Sequence, residues 1–354
     1  MAYVAVSGGK EAIEESIKLL DYYKSGTEKN LEIEAIEDKL SLLVDRVMGE
    51  AGLYSKTYAS LALRQSEGAL EEAVFLLRAY RSTLTRNYYT HTIDTDKMRI
   101  VRRISAAFKD IAGGQILGAT YDYTHRLINF DEDRGNSSLL WQARQSALDA
   151  QIPEPITACP RVSGELKKEG LIDEGQEDET PPHDVTVNML EFPAARSARL
   201  QTLARADTGF ISGLAYSALR GFGQEHPTVG ELRCGYAELY VPYLWDEGES
   251  LYIGEILITE VECFNKADDK NQLKLAVGYG AVFGRNENKA ISMAVIDREL
   301  DHGGPHPAQD QEFVLMHGDS LEMNGFISHL KLPHYVTFQS KLNAVRKTRQ
   351  NEHE

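Results

Sequence analysis

Cysteine is scarce: Cys159, Cys234 and Cys263 are the only three in 354 residues. Their odd number and wide spacing exclude a disulfide framework, and no C-x-x-C pair occurs. A cubane iron–sulfur cluster needs three or four closely placed thiolates, so no iron–sulfur cluster is expected on this chain. Radical chemistry that depends on one must reside on another protein. Long apolar runs are also missing: no stretch of about 18 residues could span a bilayer. The opening MAYVAVSGGK has neither the charged n-region nor the apolar h-region of a secretory leader. A cytoplasmic protein without membrane association is the expectation.

Several chemical signatures are absent as well. There is no G-x-x-x-x-G-K-[ST], no G-x-G-x-x-G, no G-x-S-x-G, no H-E-x-x-H and no kinase motif set. Nothing therefore points to P-loop phosphoryl transfer, Rossmann dinucleotide binding or a serine-nucleophile elbow. Net positive charge is missing too. The chain carries −16, which repels nucleic-acid phosphates, so no nucleic-acid partner is expected.

What is present is enough apolar content, 42%, for a real core and two domains. The charge is uneven. From Arg78 to Arg126 there are nine Lys/Arg against four Asp, +5 locally, so the remaining residues carry −21. A compact basic island in an acidic chain suits a small polyanion such as a triphosphate; a solvated helix face with acidic neighbours fits the composition equally.

Tyr3–Val6 reads as a short strand, followed by Ser7-Gly8-Gly9 and a helix from about Lys10 to Tyr23. Ile36, Leu40, Leu43, Val44, Val47 and Met48 share one helical face, with Asp45 and Arg46 flanking it. A helix from about Ala69 to Thr85 carries the stripe Leu70, Val74, Leu77 and Leu84, and Arg81 falls in its middle. A guanidinium there needs a partner. A snorkelling or internally paired arginine and a phosphate clamp both satisfy that need. Arg102 and Arg103 lie in the apolar run 98–104, and Tyr121-Asp122-Tyr123-Thr124-His125-Arg126 packs acid–base groups into six residues.

Residues 1–130 read as a mostly helical domain with one short strand. Residues 131–184 read as a linker region with short helices around 139–150 and 162–168 and an acidic stretch at 173–184. Residues 185–354 read as a mixed β-sheet covered by helices. Expected elements there are helices at 196–203 and 209–219, strands at 237–241, 251–263 and 273–283, a helix from Asn286 to Asp301, a strand at Phe313–Met316 and two closing helices. The fold class is α+β. The glycine-rich strings RGFG and GYGAVFG are not nucleotide fingerprints and read as close backbone approach. Two histidine pairs have metal-like spacing, His302/His306 and His329/His334. Two ligands do not close a tetrahedral zinc site, and no cysteine lies near either pair in sequence.

The segments RISAAFKDIAGGQILGATYDYTHRL (103–127), RLQTLARADTGF (199–210), GYGAVFGRNENKAISMAVIDREL (278–300) and GFISHLKLPHYVTFQ (325–339), with VDRVM (44–48) and FLLRAYRSTL (75–84), resemble the family of I subunits of bacterial carbon–phosphorus lyase, in the family's order and across nearly the whole chain. The resemblance implies a cytoplasmic subunit working with G, H, J, K and L partners. The implied reaction displaces the base of a purine nucleoside triphosphate with an alkylphosphonate oxygen. It also implies that His329 and His334 share a zinc ion with a partner subunit. Breaking an N-glycosidic bond requires the triphosphate held, the sugar cation stabilised and the base protonated. Residue type makes Arg46, Arg81, Arg102, Arg103 and Tyr121 candidates for binding, and Asp45, Asp122 and His125 candidates for catalysis, with His125 the acid by its ordinary pKa. A scaffold lending a half-site, and a hydrolase passing ribose to water when alone, remain as alternatives.

Overall fold

The computed structural model describes residues 9–26, 31–128, 130, 146, 159–172, 181–222, 226–243, 245, 248–266 and 274–352. The expected strand at Tyr3–Val6, the helix around 139–150 and most of the acidic stretch 173–184 lie outside these residues.

Five helices come first: α1 (Gly9–Ser25), α2 (Ile33–Lys39), α3 (Ser41–Ala51), α4 (Lys56–Gln65) and α5 (Leu70–Thr83). The stripe read as one face is broken between α2 and α3 at Leu40, which is exposed; Ile36, Val44, Val47 and Met48 still reach one buried cluster with Ala59, Val74 and Leu77. Leu84 lies beyond α5 and is exposed.

The sheet has four strands in sequence order, β1 (Arg99–Ile104), β2 (Thr228–Pro242), β3 (Ser250–Lys266) and β4 (Leu275–Phe283). The α+β class holds. The mixed sheet does not: every ladder among the described residues is antiparallel. The links from β2 to β3 and from β3 to β4 are too short for the crossover that parallel strands need. β1, from the first 130 residues, forms the edge beside β2, with Arg103 opposite Arg233. β3 is buried continuously from Ile256 to Phe264, as expected of a strand covered on both faces.

The remaining helices are α6 (Val162–Lys168), α7 (Arg196–Arg205), α8 (Thr208–Ser217), α9 (Glu287–His302), α10 (Gln311–His317), α11 (Ser320–His329) and α12 (Tyr335–Asn351). The strand expected at Phe313–Met316 is helix α10. A four-residue apolar run does not distinguish the two states, and Asp310 decides it by accepting the Phe313 N–H at 3.0 Å as an N-cap. The GYGAVFG string lets α9 lie directly on β4. A Cβ at Gly278 would stand 2.1 Å from the Ala294 carbonyl oxygen, and one at Gly280 would stand 2.3 Å from that of Ala290. No described helix is long and apolar enough to cross a membrane.

Candidate functional site

α3, β1, the 119–126 loop and the start of α9 converge on a cleft with two adjoining chambers. The inner one, about 340 Å³, is walled by Asp45, Val101, Arg102, Tyr236 and Leu257 among others. The outer one, about 830 Å³, includes Arg46, Tyr121, Asp122, Arg126 and Lys289. Ser41, Ala119, Arg285 and Glu287 line both.

Asp45 sits at the junction and is buried on α3. Its Oδ2 accepts the Arg285 backbone N–H at 3.0 Å and faces Arg285 Nε at 3.5 Å. Gly284, at φ +70°, makes room for it: a Cβ there would fall 2.5 Å from the Asp45 carboxyl carbon. Asn286, the residue before α9, spends its side-chain amide on the carbonyls of Asp45 (2.9 Å) and Phe283 (2.6 Å) and makes no side-chain cap. The first N–H groups of α9 thus stay uncapped by that side chain beside the outer chamber, an arrangement that favours an anion.

Arg46 donates to Glu50 Oε1 (2.8 Å) and Asp207 Oδ2 (3.1 Å), and Glu50 is held in turn by the Thr208 N–H and hydroxyl. Burial would lower the Arg46 pKa, but the carboxylates of Glu50, Asp207 and Glu71 together outweigh it and the pKa rises. Arg102 reaches Asp122 Oδ2 at 2.5 Å and the Leu117 carbonyl, and its Nε lies 2.6 Å from Glu287 Oε1, off the hydrogen-bonding direction. The Thr120 hydroxyl and then Arg102 hold the Asp122 carboxyl below its usual range. Lys289 is sealed at the start of α9 with its Nζ on the Ala206 carbonyl at 2.8 Å, and burial pushes its pKa down to about 8.

Five expected residues, Asp45, Arg46, Arg102, Tyr121 and Asp122, therefore line one cleft. Three do not. Arg103 is wholly buried, with donors committed to Glu231, the Ala112 carbonyl and the Pro160 carbonyl (2.7 Å); its neighbours in β1 alternate faces, so one arginine reaches the cleft and the next enters the core. Arg81 lies against Gly52 at the far end of α3 and lines neither chamber. His125 is exposed and lines neither, although Thr124 and Arg126 line the outer one. The residue-type reading missed Arg285, Glu287 and Lys289. A signal existed: a polar, charged run, Arg285 to Lys289, at the passage from a strand into a helix.

His329 and His334 stand at the α11–α12 junction with ring centroids 5.3 Å apart. Each Nδ1 faces a carbonyl, Phe326 O at 2.5 Å and Leu332 O at 2.6 Å. A carbonyl only accepts, so each Nδ1 carries a proton; in the neutral ring this leaves the Nε2 lone pair for a metal. Both residues are exposed, and no group of three or more His, Cys, Asp or Glu that could hold a metal exists among the described residues. His306, of the other pair, accepts the Ala308 N–H and caps the turn at 307–309.

Residues 2–352 match the family described as "Bacterial phosphonate metabolism protein (PhnI)". A relative from Rhizobium meliloti, named alpha-D-ribose 1-methylphosphonate 5-triphosphate synthase subunit PhnI, is 44% identical over 99% of this chain and 96% of its own. A protein of the same name from Escherichia coli is 43% identical over 99% of both. A putative C-P lyase subunit protein, HtxH, from Stutzerimonas stutzeri is 42% identical over 98% of this chain and 96% of its own.

Proposed function

The chain belongs to the bacterial phosphonate metabolism protein (PhnI) family, and from that premise we propose that its cleft transfers the ribose 5-triphosphate of a purine nucleoside triphosphate to an alkylphosphonate, within a complex of G, H, J, K and L partners. The observation that carries this reading is the paired chamber with Arg285 on both walls.

In this reading the triphosphate lies in the outer chamber against Arg46, Arg126, Arg285 and the start of α9. The ribose and base enter the inner chamber, between Asp45 and the apolar wall of Val101, Tyr236 and Leu257. The C1′–N bond breaks and its electron pair leaves with the base, which takes up a proton. A C1′–O bond forms from a phosphonate oxygen. The sugar passes through an oxocarbenium-like state, and the Asp45 carboxylate stabilises that positive charge. Arg102 and Asp122 brace each other in the wall, so the loop carrying Tyr121 is fixed against β1. His125, off both walls, is assigned no proton transfer.

The same proposal places a zinc ion on His329 and His334, with the remaining ligands from a partner subunit; the ion would clamp the α11–α12 junction to that partner. The decisive experiment follows nucleotide and alkylphosphonate in the assembled complex. Free base and an intact triphosphate chain should appear together. Phosphate or pyrophosphate released first, with the base still on ribose, would overturn the reading. Purified chain alone that neither binds nucleotide nor releases base would shift the chemistry to partner chains and leave this one a scaffold.

A further inference from the structure

We propose that Arg81 and Arg205 form a second oxyanion site, separate from the cleft, that takes a phosphate or phosphonate dianion. Arg81 is in the last turn of α5 and Arg205 is the last residue of α7. They meet over Gly52, the left-handed C-cap of α3 at φ +66°. A Cβ at Gly52 would lie 2.9 Å from Arg81 Nη1 and 3.6 Å from Arg205 Nε, so both side chains pack against the bare Gly52 backbone and any other residue there would push Arg81 away.

Neither arginine has an acidic partner. Among the described residues no ion pair is made by either, and the Arg81 side chain has only a 3.5 Å contact with the Gly52 carbonyl. Arg205 Nε is buried with no acceptor at all. The acids nearby are committed. Asp319 takes Arg78 at 2.5 Å and caps α11; Asp184 takes Arg86 and the Thr186 N–H and hydroxyl. Arg78 is itself spent on the Glu50 and Arg205 carbonyls.

Helix C-termini attract cations, which accounts for two arginines at the ends of α5 and α7. It does not account for a buried donor left without an acceptor, a cost that native folds rarely carry. Burial and then the neighbouring arginines lower both pKa values, that of Arg205 to about 10. A bound dianion would reverse that penalty. Two arginines without acidic partners match a phosphate or phosphonate, which can lose a second proton beside them and offers three oxygens, better than a carboxylate limited to one charge and two oxygens. Arg205 also lines a cavity of about 370 Å³ with the polar side chains of Thr186, Asn188 and Thr202; Asp319 and Glu322 line it too, Asp319 being already paired with Arg78.

The inference does not rest on the cleft reading, and its test separates the two. Full-length chain carrying Arg285→Met, which weakens the cleft, is titrated calorimetrically with inorganic phosphate, methylphosphonate and acetate at constant ionic strength. The two dianions should still bind and acetate should not. Adding Arg205→Met or Arg81→Met should weaken phosphate binding roughly tenfold or more. Arg205→Lys, which keeps the charge but loses the planar fork, should also weaken it. Absence of phosphate binding, equal binding of acetate, or affinity unchanged by the arginine substitutions would each overturn the site. Should Arg205→Met fail to fold, Arg81→Met, whose long stem is retained, decides the matter alone. In a chain with native Arg285, Arg81→Met and Arg205→Met should leave nucleotide affinity unchanged, which distinguishes this site from the cleft; a parallel loss of nucleotide binding would overturn its separateness.

Discussion

Asp45 and Arg285 are joined by two contacts, backbone N–H and guanidinium Nε both meeting Oδ2, and this pair ties the middle of α3 to the start of α9. It joins the N-terminal helical layer to the sheet-covering helix at the point where the two chambers meet. The carboxylate faces the inner chamber, while the arginine faces both.

Asp45→Asn tests whether that carboxylate acts on the reaction. The amide fills the same space and still accepts the Arg285 N–H, so the fold should persist with a loss of about 1–3 kcal/mol in urea denaturation. Base release should fall by orders of magnitude while nucleotide binding is retained. Gly284→Ala should act indirectly: its Cβ would meet Asp45 and its φ of +70° disfavours any side chain. Stability should drop by about 1 kcal/mol or more, with activity falling alongside. Full activity in Asp45→Asn would remove the carboxylate from the mechanism.

Lys289 gives a pH signature. Its folded pKa is pushed down to about 8 by burial, against about 10.4 in an unfolded chain. Below pH 8 both states hold the proton and its burial cost is paid in full. Between pH 8 and about 10.4 the unfolded state binds the proton and the folded state does not, so the stability contributed by this residue rises with pH. The stability difference between wild type and Lys289→Met should be flat below pH 8 and move in favour of wild type above it. A flat difference across pH 7–10 would show that the ammonium is not desolvated as its burial indicates.

Much of this architecture could be read from the residues, and the failures are local. The helices expected at about 10–23, 69–85, 196–203 and 286–301 are present at 9–25, 70–83, 196–205 and 287–302. Phe313–Met316 failed because four apolar residues carry no period. The edge place of β1 was missed because it lies more than a hundred residues before β2, and pairing at that distance leaves no local trace; the antiparallel order of β2 to β4 was legible in their short links and was not read. Within the site, Asp45 and Asp122 were found by residue type. Arg102 and Arg103 have the same type and adjoining places, yet one reaches the cleft and the other is fully buried. Only the strand's face assignment separates them, and that depends on which side α3 packs.

The zinc proposal predicts a split between isolated and assembled protein. Two exposed imidazoles make a weak pair, so the chain alone should retain little zinc through dialysis. The assembled complex should retain about one ion per copy. His329→Ala and His334→Ala should each abolish that zinc and loosen the partner, whereas His302→Ala should leave it, since His302 is on a different helix, at the end of α9. Zinc bound tightly by the isolated chain would contradict the half-site.

His125→Asn asks where the proton for the departing base comes from. Residue type favours this imidazole, because its ordinary pKa lies nearest neutrality. Position opposes it: the residue is exposed and lines neither chamber, although residues on both sides of it do. General acid catalysis requires hydrogen-bond reach of the leaving nitrogen, and an acid off the wall contributes nothing however well its pKa fits. The substituted chain, assembled with its partners, should therefore release base within about threefold of the wild-type rate, with nucleotide affinity unchanged. A fall of about 10²–10⁴ would instead mean that the 119–126 loop turns inward when nucleotide binds. That loop is braced by the Arg102–Asp122 pair, so Arg102→Met separates the two cases. If the loop is static, Arg102→Met should weaken nucleotide binding without altering the pH profile of base release. If it turns inward, freeing it should shift that profile, and the His125 and Arg102 substitutions should then be non-additive.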